Sequence, residues 1–496
     1  MNKNSPKPVV ADTTFVQPNG RLLINGKWLE GDAEFPVSNP ATGEVFASVS
    51  SAGEREALLA LDAAEAAKEG WRNVAPRQRA ELMHRLYDLM LTRQEDFARV
   101  MTLESGKPLT EARAEFKLSC DFLRWFAEQT AHLHGSYAPA SNGGFRIMVA
   151  KQPIGPCLLI TPWNFPLLMI VRKGGAALAA GCTMVVKSAQ ETPLTCALFA
   201  ELVQEAGFPD GVMNLIHTTN SASVSTPLMN DKRIRKVSFT GSTRVGGLLM
   251  ELAAKNITKC SLELGGDGPF VVLDDADIDL AVEQAVICKF RNAGQACVAA
   301  NRIIVDKKVE KEFTEKFLKE VEALTVGDGM TSVDVGPMIS ARQRDRLGDT
   351  IRSLEAAGGT VVTGGAAVEG PGYFFQPTVI RFDAPNEVMC SNELFAPVAT
   401  IFPVENAAEA LAFANKSDFG LASYVFTKDV SRALTFGERL EFGMVGINRG
   451  IMADAAAPFG GTKASGIGRE GGQEGIYEFM EDKYIALTVN EAQGVA

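Results

Sequence analysis

The sequence predicts an α/β protein: two α/β domains with parallel open sheets, plus a small β extension for oligomerisation. Three observations carry this reading. The chain has 496 residues, and a single hydrophobic core stops growing near about 250–300 residues. From residue 157 onward, short apolar strands alternate with helical stretches, the pattern of right-handed crossovers in a parallel sheet. A second alternating run starts at residue 269. The composition, 46% hydrophobic and 22% charged, supplies apolar material for two cores.

The elements follow in order. Residues 1–20 hold Pro6, Pro8 and Pro18 without an apolar run of signal-peptide length, so they read as a flexible arm. The segment LLINGKW (22–28) comes next. Residues 54–130 read as helices, because Leu82, Leu86, Leu89 and Met90 recur at helical spacing, as do Phe116, Cys120 and Leu123. Pro76 precedes one helix, and the turn at Gly106 to Pro108 separates two others. Gly135, Pro139, Gly143 and Gly144 lead into the alternating FRIMVAKQP, which reads as a hairpin. Strands follow at CLLI (157–160), TMVVK (183–187), MNLI (213–216) and KVSFT (236–240), with helices near 167–180 and 193–206. Ligands bind beyond the carboxyl ends of such strands. The second run has PFVVL (269–273), a helix at 277–291, NRIIV (301–305) and a helix at 309–324. Further strands lie near 360–363, 398–403, 423–426 and 444–448. A glycine-rich loop after Pro458 and a short helix precede the strand-like KYIALTV (483–489).

Several classes are excluded. A net charge of −11 argues against non-specific nucleic-acid binding. No stretch reaches the roughly 18 apolar residues of a membrane helix, since Lys151, Arg172, Lys173 and Lys187 interrupt the candidates. The eight cysteines (120, 157, 182, 196, 260, 288, 297, 390) form no Cys-x-x-Cys, and His132 and His134 are the only close histidine pair. No metal site is therefore expected, and the thiols read as those of a reduced, cytoplasmic protein. The 46 glycines follow no period and cluster late in the chain, where the backbone turns tightly or approaches a ligand.

Four segments carry candidate chemistry. FRNAGQACVAANR (290–302) places Cys297 after Gly294 and Gln295 at a chain reversal, where a thiol can meet a substrate and backbone N–H groups can stabilise charge. The alternative is a buried turn cysteine. LELGGDGPF (262–270) sets Glu263 before Gly265 and Gly266, a position for a general base; the alternative is a strand-end carboxylate facing solvent. ITPWNFP (160–166) brackets Trp163 and Asn164 between Pro162 and Pro166, a rigid turn from which an Asn amide could donate to an oxyanion. KVSFTGSTRVG (236–246) is a strand, turn and helix with Gly241, Ser242 and Gly246. It can seat a phosphate at a helix N-terminus, although it is neither a P-loop nor G-x-G-x-x-G.

Together these segments resemble the aldehyde dehydrogenase superfamily, from about residue 22 to about residue 489. NPATGEV (39–45), VGDG (326–329), GPMIS (336–340), NELFAPV (392–398), GMVGIN (443–448) and PFGGTKASGIGREGG (458–472) extend the likeness in family order. KASGIGREG with EDKYI, and the pair Arg172 and Lys173, look most similar to succinate-semialdehyde dehydrogenases. The resemblance implies a dinucleotide-binding domain over 21–130 and 153–262, with 456–478 returning to it. It also implies a catalytic domain over 263–455 and oligomerisation segments at 131–152 and 479–496. A homodimer or homotetramer acting on a small-molecule aldehyde follows from the same likeness.

The resemblance also implies roles. Cys297 is the nucleophile, Asn164 the oxyanion donor, Glu263 the base that activates water, and Glu470 a proton relay. Thr161, Pro162 and Trp163 line the nicotinamide, Lys187 reaches the adenosine ribose, Gly241 and Ser242 lie by the pyrophosphate, and Glu393 with Phe395 grips the nicotinamide ribose. The implied cofactor surface also takes in Asn164, Ser188, Gln190, Phe239, Thr240, Glu263, Leu264 and Gly265. Many NAD-preferring relatives carry Glu where this chain has Gln190. Without that carboxylate a 2′-phosphate meets no repulsion, so the expectation is dual use of NADP and NAD with NADP favoured. Arg172 and Arg291 match two arginines that bind a substrate carboxylate, a geometry suited to Arg. The alternative is that each pairs with a local Asp or Glu. Phe165, Met169, Met452 and Phe459 would form an apolar tunnel, which would suit a larger aldehyde.

The sequence departs from the pattern at named positions. Ala299 stands where a second, redox-sensitive Cys is common, and Ala453 stands where a Ser helps bind the carboxylate. Asp267 replaces the usual Asn, Ala396 replaces a Gly, and the adenine-side motif reads HTTN (217–220). Glu263 argues against a CoA-acylating relative. Cys297, Glu263 and Asn164 together argue against a non-catalytic binding protein.

Overall fold

The computed structural model describes residues 17–489. The first part of the chain builds an eight-stranded sheet. Its five central strands are parallel, in the order Met213–Ile216, Met184–Lys187, Cys157–Ile160, Lys236–Thr240 and Lys259–Glu263. The strand order reverses at Cys157–Ile160: the chain first adds strands on one side, then returns to pair Lys236–Thr240 on the other. That reversal opens a crevice at the carboxyl ends, where Ile160 lies beside Phe239.

The sheet is parallel at its centre and antiparallel at its two edges. Leu22–Ile24 and Lys27–Leu29 form an antiparallel hairpin on one side. Its two-residue turn, Asn25 and Gly26, has φ of 49° and 72°, which matches the twist of the flanking strands. At the other edge Gly466–Ile467 pairs antiparallel with Leu262 and Glu263, so the C-terminal motif returns to the end of that strand.

The second sheet has seven strands, in the order Thr360–Thr363, Thr378–Arg381, Val398–Val404, Arg302–Asp306, Pro269–Val272, Ala422–Phe426 and Met444–Ile447. All its pairings are parallel except the outermost, at Thr360–Thr363. A third sheet joins the hairpin Ser136–Pro139 and Arg146–Pro153 to the strand Met480–Leu487. It is largely exposed, as a segment outside both cores should be. The expected N-terminal arm lies mostly outside the described residues, as does 490–496 of the last expected segment.

The helices at Glu54–Arg72, Pro76–Thr92, Gln94–Ser105 and Leu109–Gln129 pack their apolar stripes on the first sheet's core. They also supply two buried caps. Glu104 accepts from the N–H groups of Leu194 and Thr195 at 2.9 Å each, at the start of helix Pro193–Glu205. Glu115 accepts from Leu167 and Leu168 at 3.0 and 3.1 Å, at the start of helix Pro166–Ala180. Both helices follow strands of the crevice, and both open with Pro and lack a cap of their own, so these carboxylates satisfy otherwise orphaned donors. All eight cysteines are free. Among the described residues no helix is long and apolar enough to cross a membrane, and no cluster of side chains could hold a metal ion.

Candidate active site

The segment that carries Cys297 leaves helix Ile278–Phe290 through three successive left-handed residues, Asn292 (φ 52°), Ala293 (φ 53°) and Gly294 (φ 69°). L-residues adopt this conformation at a cost, and it persists only where surroundings enforce it. The enforcement is visible. A Cβ on Gly294 would lie 2.0 Å from the Ala396 carbonyl oxygen, and one on Gly266 would lie 2.2 Å from the Cys297 carbonyl oxygen. Gln295 is clamped by the 336–340 segment: its Oε1 accepts from Ile339 N at 2.9 Å and its Nε2 donates to Pro337 O at 3.3 Å. Cys297 therefore sits at a fixed reversal, 9% exposed.

Asn164 lies opposite, 4% exposed. Its Oδ1 accepts from Phe165 N at 3.1 Å and its Nδ2 donates to Gln295 O at 3.1 Å. One N–H of the amide remains for another acceptor. Glu263 ends its strand 2% exposed, and both its carboxylate oxygens lack a well-formed hydrogen bond. Burial raises its pKa, Glu470 adds to that, and Arg172, the thiol and Lys173 oppose it. The Cys297 thiol is held well above its ordinary value by burial first and then by the Glu263 carboxylate. These mutual effects bring Cys297, Glu263 and Arg172 into one neighbourhood.

Two of the expected site residues meet on the other side of Glu263. Arg172 is 1% exposed, and its Nε donates to Glu470 Oε2 at 2.8 Å. The pairing left open for Arg172 is thus realised through Nε. Lys173 holds the second oxygen of Glu470 and reaches Thr240 Oγ1 at 2.5 Å. Glu470 is driven below its usual range by these two cations despite its burial. Met169 is likewise in the interior, 2% exposed, with its sulfur 3.3 Å from Arg172 Nη2. Phe459 lies under the guanidinium, 4.0 Å from its carbon.

Arg291 differs from Arg172. Its guanidinium sits 5.5 Å from the Phe165 ring, and its buried Nε has no hydrogen-bond partner among the described residues. Ala453 is half-buried and offers no polar group.

A cleft of about 680 Å³ runs from Cys297 past Pro162, Trp163 and Asn164 to Thr240, Gly241 and Ser242, with Glu393 and Phe395 on its far wall. Ser242 caps helix Thr243–Ala254, accepting from Val245 N at 3.4 Å, so the positive end of that helix meets the cleft. Trp163 and Phe395 meet edge to face at 5.6 Å. Glu393 accepts from Gly266 N at 3.0 Å, and burial raises it to about 7. A Cβ on Gly265 would lie 2.9 Å from its other oxygen. Thr161 and Leu264 are buried behind the cleft. At the neighbouring strand end Lys187 is 5% exposed, donates to Ser188 O at 3.1 Å, and is lowered to about 8 by burial. Gln190 is exposed.

The departures acquire physical reasons. Asp267 pairs with Arg302: its Oδ2 lies 2.7 Å from Arg302 Nε with both side chains at 0% exposure, and Arg302 also donates to Phe413 O and Ala414 O. Ala396 is buried but outside the left-handed region, so the missing glycine costs no backbone strain. His217 of HTTN is fully buried, 2.7 Å from Ser188 Oγ through Nδ1, and burial lowers it to about 3. Sequence reasoning missed Lys107, Glu115 and Asn292, which surround Asn164, and gave Lys173 no role of its own. Two adjacent cations in a helix buried along its whole length were the available signal for Lys173.

A thiol at a strained reversal, facing an amide donor and a buried carboxylate at the mouth of a dinucleotide-sized cleft, defines the aldehyde dehydrogenase class. Residues 28–485 match the profile of the aldehyde dehydrogenase family, and the chain belongs to that family. A succinate-semialdehyde dehydrogenase of Paenarthrobacter nicotinovorans is 49% identical, over 89% of this chain and 99% of the relative. The succinate-semialdehyde dehydrogenase [NADP(+)] GabD of Escherichia coli K12 is 46% identical, over 94% and 97%. A glutarate-semialdehyde dehydrogenase of Pseudomonas putida KT2440 is 44% identical, over 95% and 98%. Among solved structures, that of an E. coli NADP-dependent enzyme superposes with a TM-score of 0.93 at 44% identity, covering 95% of this chain and 98% of that one.

Proposed function

We propose that this enzyme oxidises an ω-carboxy aldehyde, succinate or glutarate semialdehyde, to the dicarboxylic acid, using NADP or NAD with NADP favoured. The observation that carries the substrate class is Arg291, whose guanidinium lies against Phe165, the neighbour of Asn164, and whose buried Nε has no hydrogen-bond partner among the described residues. An Arg with unmet donors is suited to a carboxylate two or three carbons from the reacting aldehyde. The names of the relatives point the same way.

The cleft fits a dinucleotide on this chain's own features. The capped helix N-terminus at Ser242 suits a pyrophosphate, and Lys187 is a buried cation with no ion pair among the described residues. Thr161, Trp163, Glu393 and Phe395 would hold the nicotinamide end, and Lys187, Ser188 and Gln190 the adenosine end. When bound, NAD(P)+ supplies the acceptor for the hydride that leaves the substrate carbon.

The chain's residues perform the rest. Glu263 takes the thiol proton, and Cys297 Sγ bonds to the aldehyde carbon. The carbonyl π pair moves to oxygen, where the free N–H of Asn164 and the Cys297 backbone N–H stabilise it. After oxidation the acyl group is a thioester on Cys297. Glu263, having released that first proton to solvent, then takes one from water, whose oxygen bonds to the acyl carbon as the C–S bond breaks, and it returns this proton to the departing sulfur. The acid leaves and the thiol is restored. A buried base beside the thiol, its pKa raised by burial, suits both proton transfers.

The exposed third sheet, with Tyr137, Tyr484 and Leu487 uncovered, supports assembly as a homodimer or homotetramer. Eight free cysteines support a cytoplasmic setting. The test is reduced-cofactor absorbance with succinate, glutarate, aliphatic and aromatic aldehydes and both cofactors, with Cys297→Ala as control. A strong preference for an uncharged aldehyde would overturn the substrate class.

A further inference from the structure

We propose that Lys107, held by Glu115, is a positioning residue that fixes the peptide of Asn164 for oxyanion stabilisation. This rests on the role given to Asn164 above. Lys107 follows Gly106, the left-handed cap (φ 79°) of helix Gln94–Ser105, in the turn before helix Leu109–Gln129. Lys107 is 2% exposed and Glu115 4%. Burying two opposite charges is costly unless every donor is used. Here the ammonium donates to Glu115 Oε2 and to the Asn164 carbonyl oxygen at 2.6 Å, and it lies 4.4 Å from the Phe165 ring centre.

The choice of carbonyl matters. The Asn164 C=O and the Phe165 N–H are two ends of one rigid peptide plane. Lys107 holds the C=O end, with help from Asn292 Nδ2 at 3.1 Å. The N–H end donates to Oδ1 of the Asn164 side chain. Fixing the plane therefore fixes which end of the carboxamide faces Gln295 O and where its remaining N–H points. Glu115 ties the same plane to helix Pro166–Ala180 by accepting from Leu167 and Leu168. Two sequence motifs without a chemical role hold this clamp from behind. A Cβ on Gly329 would lie 2.4 Å from Lys107 O, one on Gly336 would lie 2.2 Å from Gly106 O, and Leu109 N donates to Gly329 O at 2.9 Å.

The test is steady-state and single-turnover kinetics of K107M and K107M/E115Q, each in wild-type and N164A backgrounds. K107M alone leaves a buried unpaired carboxylate and risks misfolding. The double variant removes both charges and keeps the residue 115 carbonyl as an acceptor for helix Pro166–Ala180. The proposal expects K107M/E115Q to bind NADP normally and to lose at least about tenfold in kcat. It expects aldehyde and cofactor KM to stay within about twofold, and little further loss when the pair is added to N164A. A kcat within twofold of wild type, or the same fold loss carried undiminished into N164A, would overturn it. Wild-type kcat in N164A alone would instead overturn the role of Asn164, so the two failures are distinct.

Discussion

Arg172 donates from Nε to Oε2 of Glu470 at 2.8 Å, joining two residues nearly three hundred positions apart. Lys173 holds the other carboxylate oxygen, so the C-terminal motif is pinned to helix Pro166–Ala180 beside Glu263. That arrangement separates the two arginines. Arg291→Ala should raise KM for succinate semialdehyde about 10- to 100-fold, the value of a charge-assisted bond, and leave a neutral aldehyde of similar length nearly unaffected. Arg172→Ala should instead lower thermal stability and kcat for both aldehydes, because it leaves Glu470 short of a buried partner. Comparing the two variants on the two aldehydes checks this; equal KM effects of Arg291→Ala on both would refute it.

The thiol gives a second prediction. Like-charge repulsion from Glu263 holds Cys297 up, beyond what burial does. Glu263→Gln removes that charge, so the thiolate should form at lower pH. Alkylation of Cys297 by iodoacetamide at pH 8 should be faster in the variant, while aldehyde turnover falls at least about a hundredfold for want of a base. Slower alkylation in Glu263→Gln would mean that the carboxylate assists ionisation in the resting enzyme.

Much of this was legible in the sequence because it depends on local pattern. Strand periodicity and glycine placement located the crevice, and Cys297, Asn164 and Glu263 each lie in a short, distinctive segment. What was not legible is pairing between distant side chains. Nothing near Arg172 in the chain indicates Glu470 as its partner, and nothing near Asp267 indicates Arg302 as its partner. The antiparallel edge strand Gly466–Ile467 is two residues long, too short for alternation to signal it. Lys107 read as part of a helix-breaking turn because burial of its ammonium depends on Glu115 and on a carbonyl 57 residues away.

Cofactor choice depends on charge at one strand end. Lys187 is lowered to about 8 by burial, and Gln190 adds no negative charge. Gln190→Glu should raise KM for NADP about tenfold or more, corresponding to about 1.4 kcal/mol of repulsion, and change KM for NAD little. In the wild type, Lys187 loses its charge as pH rises through about 8, so KM for NADP should climb between pH 7 and 9 faster than KM for NAD. Parallel profiles for the two cofactors would remove Lys187 from 2′-phosphate recognition.

Glu104 predicts a stability effect in alkaline solution. It is fully buried, caps helix Pro193–Glu205 through two N–H groups, and has no basic partner among the described residues; burial raises it from 4.5 to about 8. The folded-state pKa thus exceeds the unfolded one. The contribution is complete below pH 4.5 and declines as pH rises, until it is lost through about pH 8. Glu104→Gln cannot ionise but keeps only one carbonyl for two donors. The variant should melt below the wild type at pH 5, and the gap should narrow by several degrees by pH 9. Melting curves across that range decide the matter: a gap that stays constant or widens with pH would show that Glu104 is ionised throughout, with its charge held by the two N–H groups.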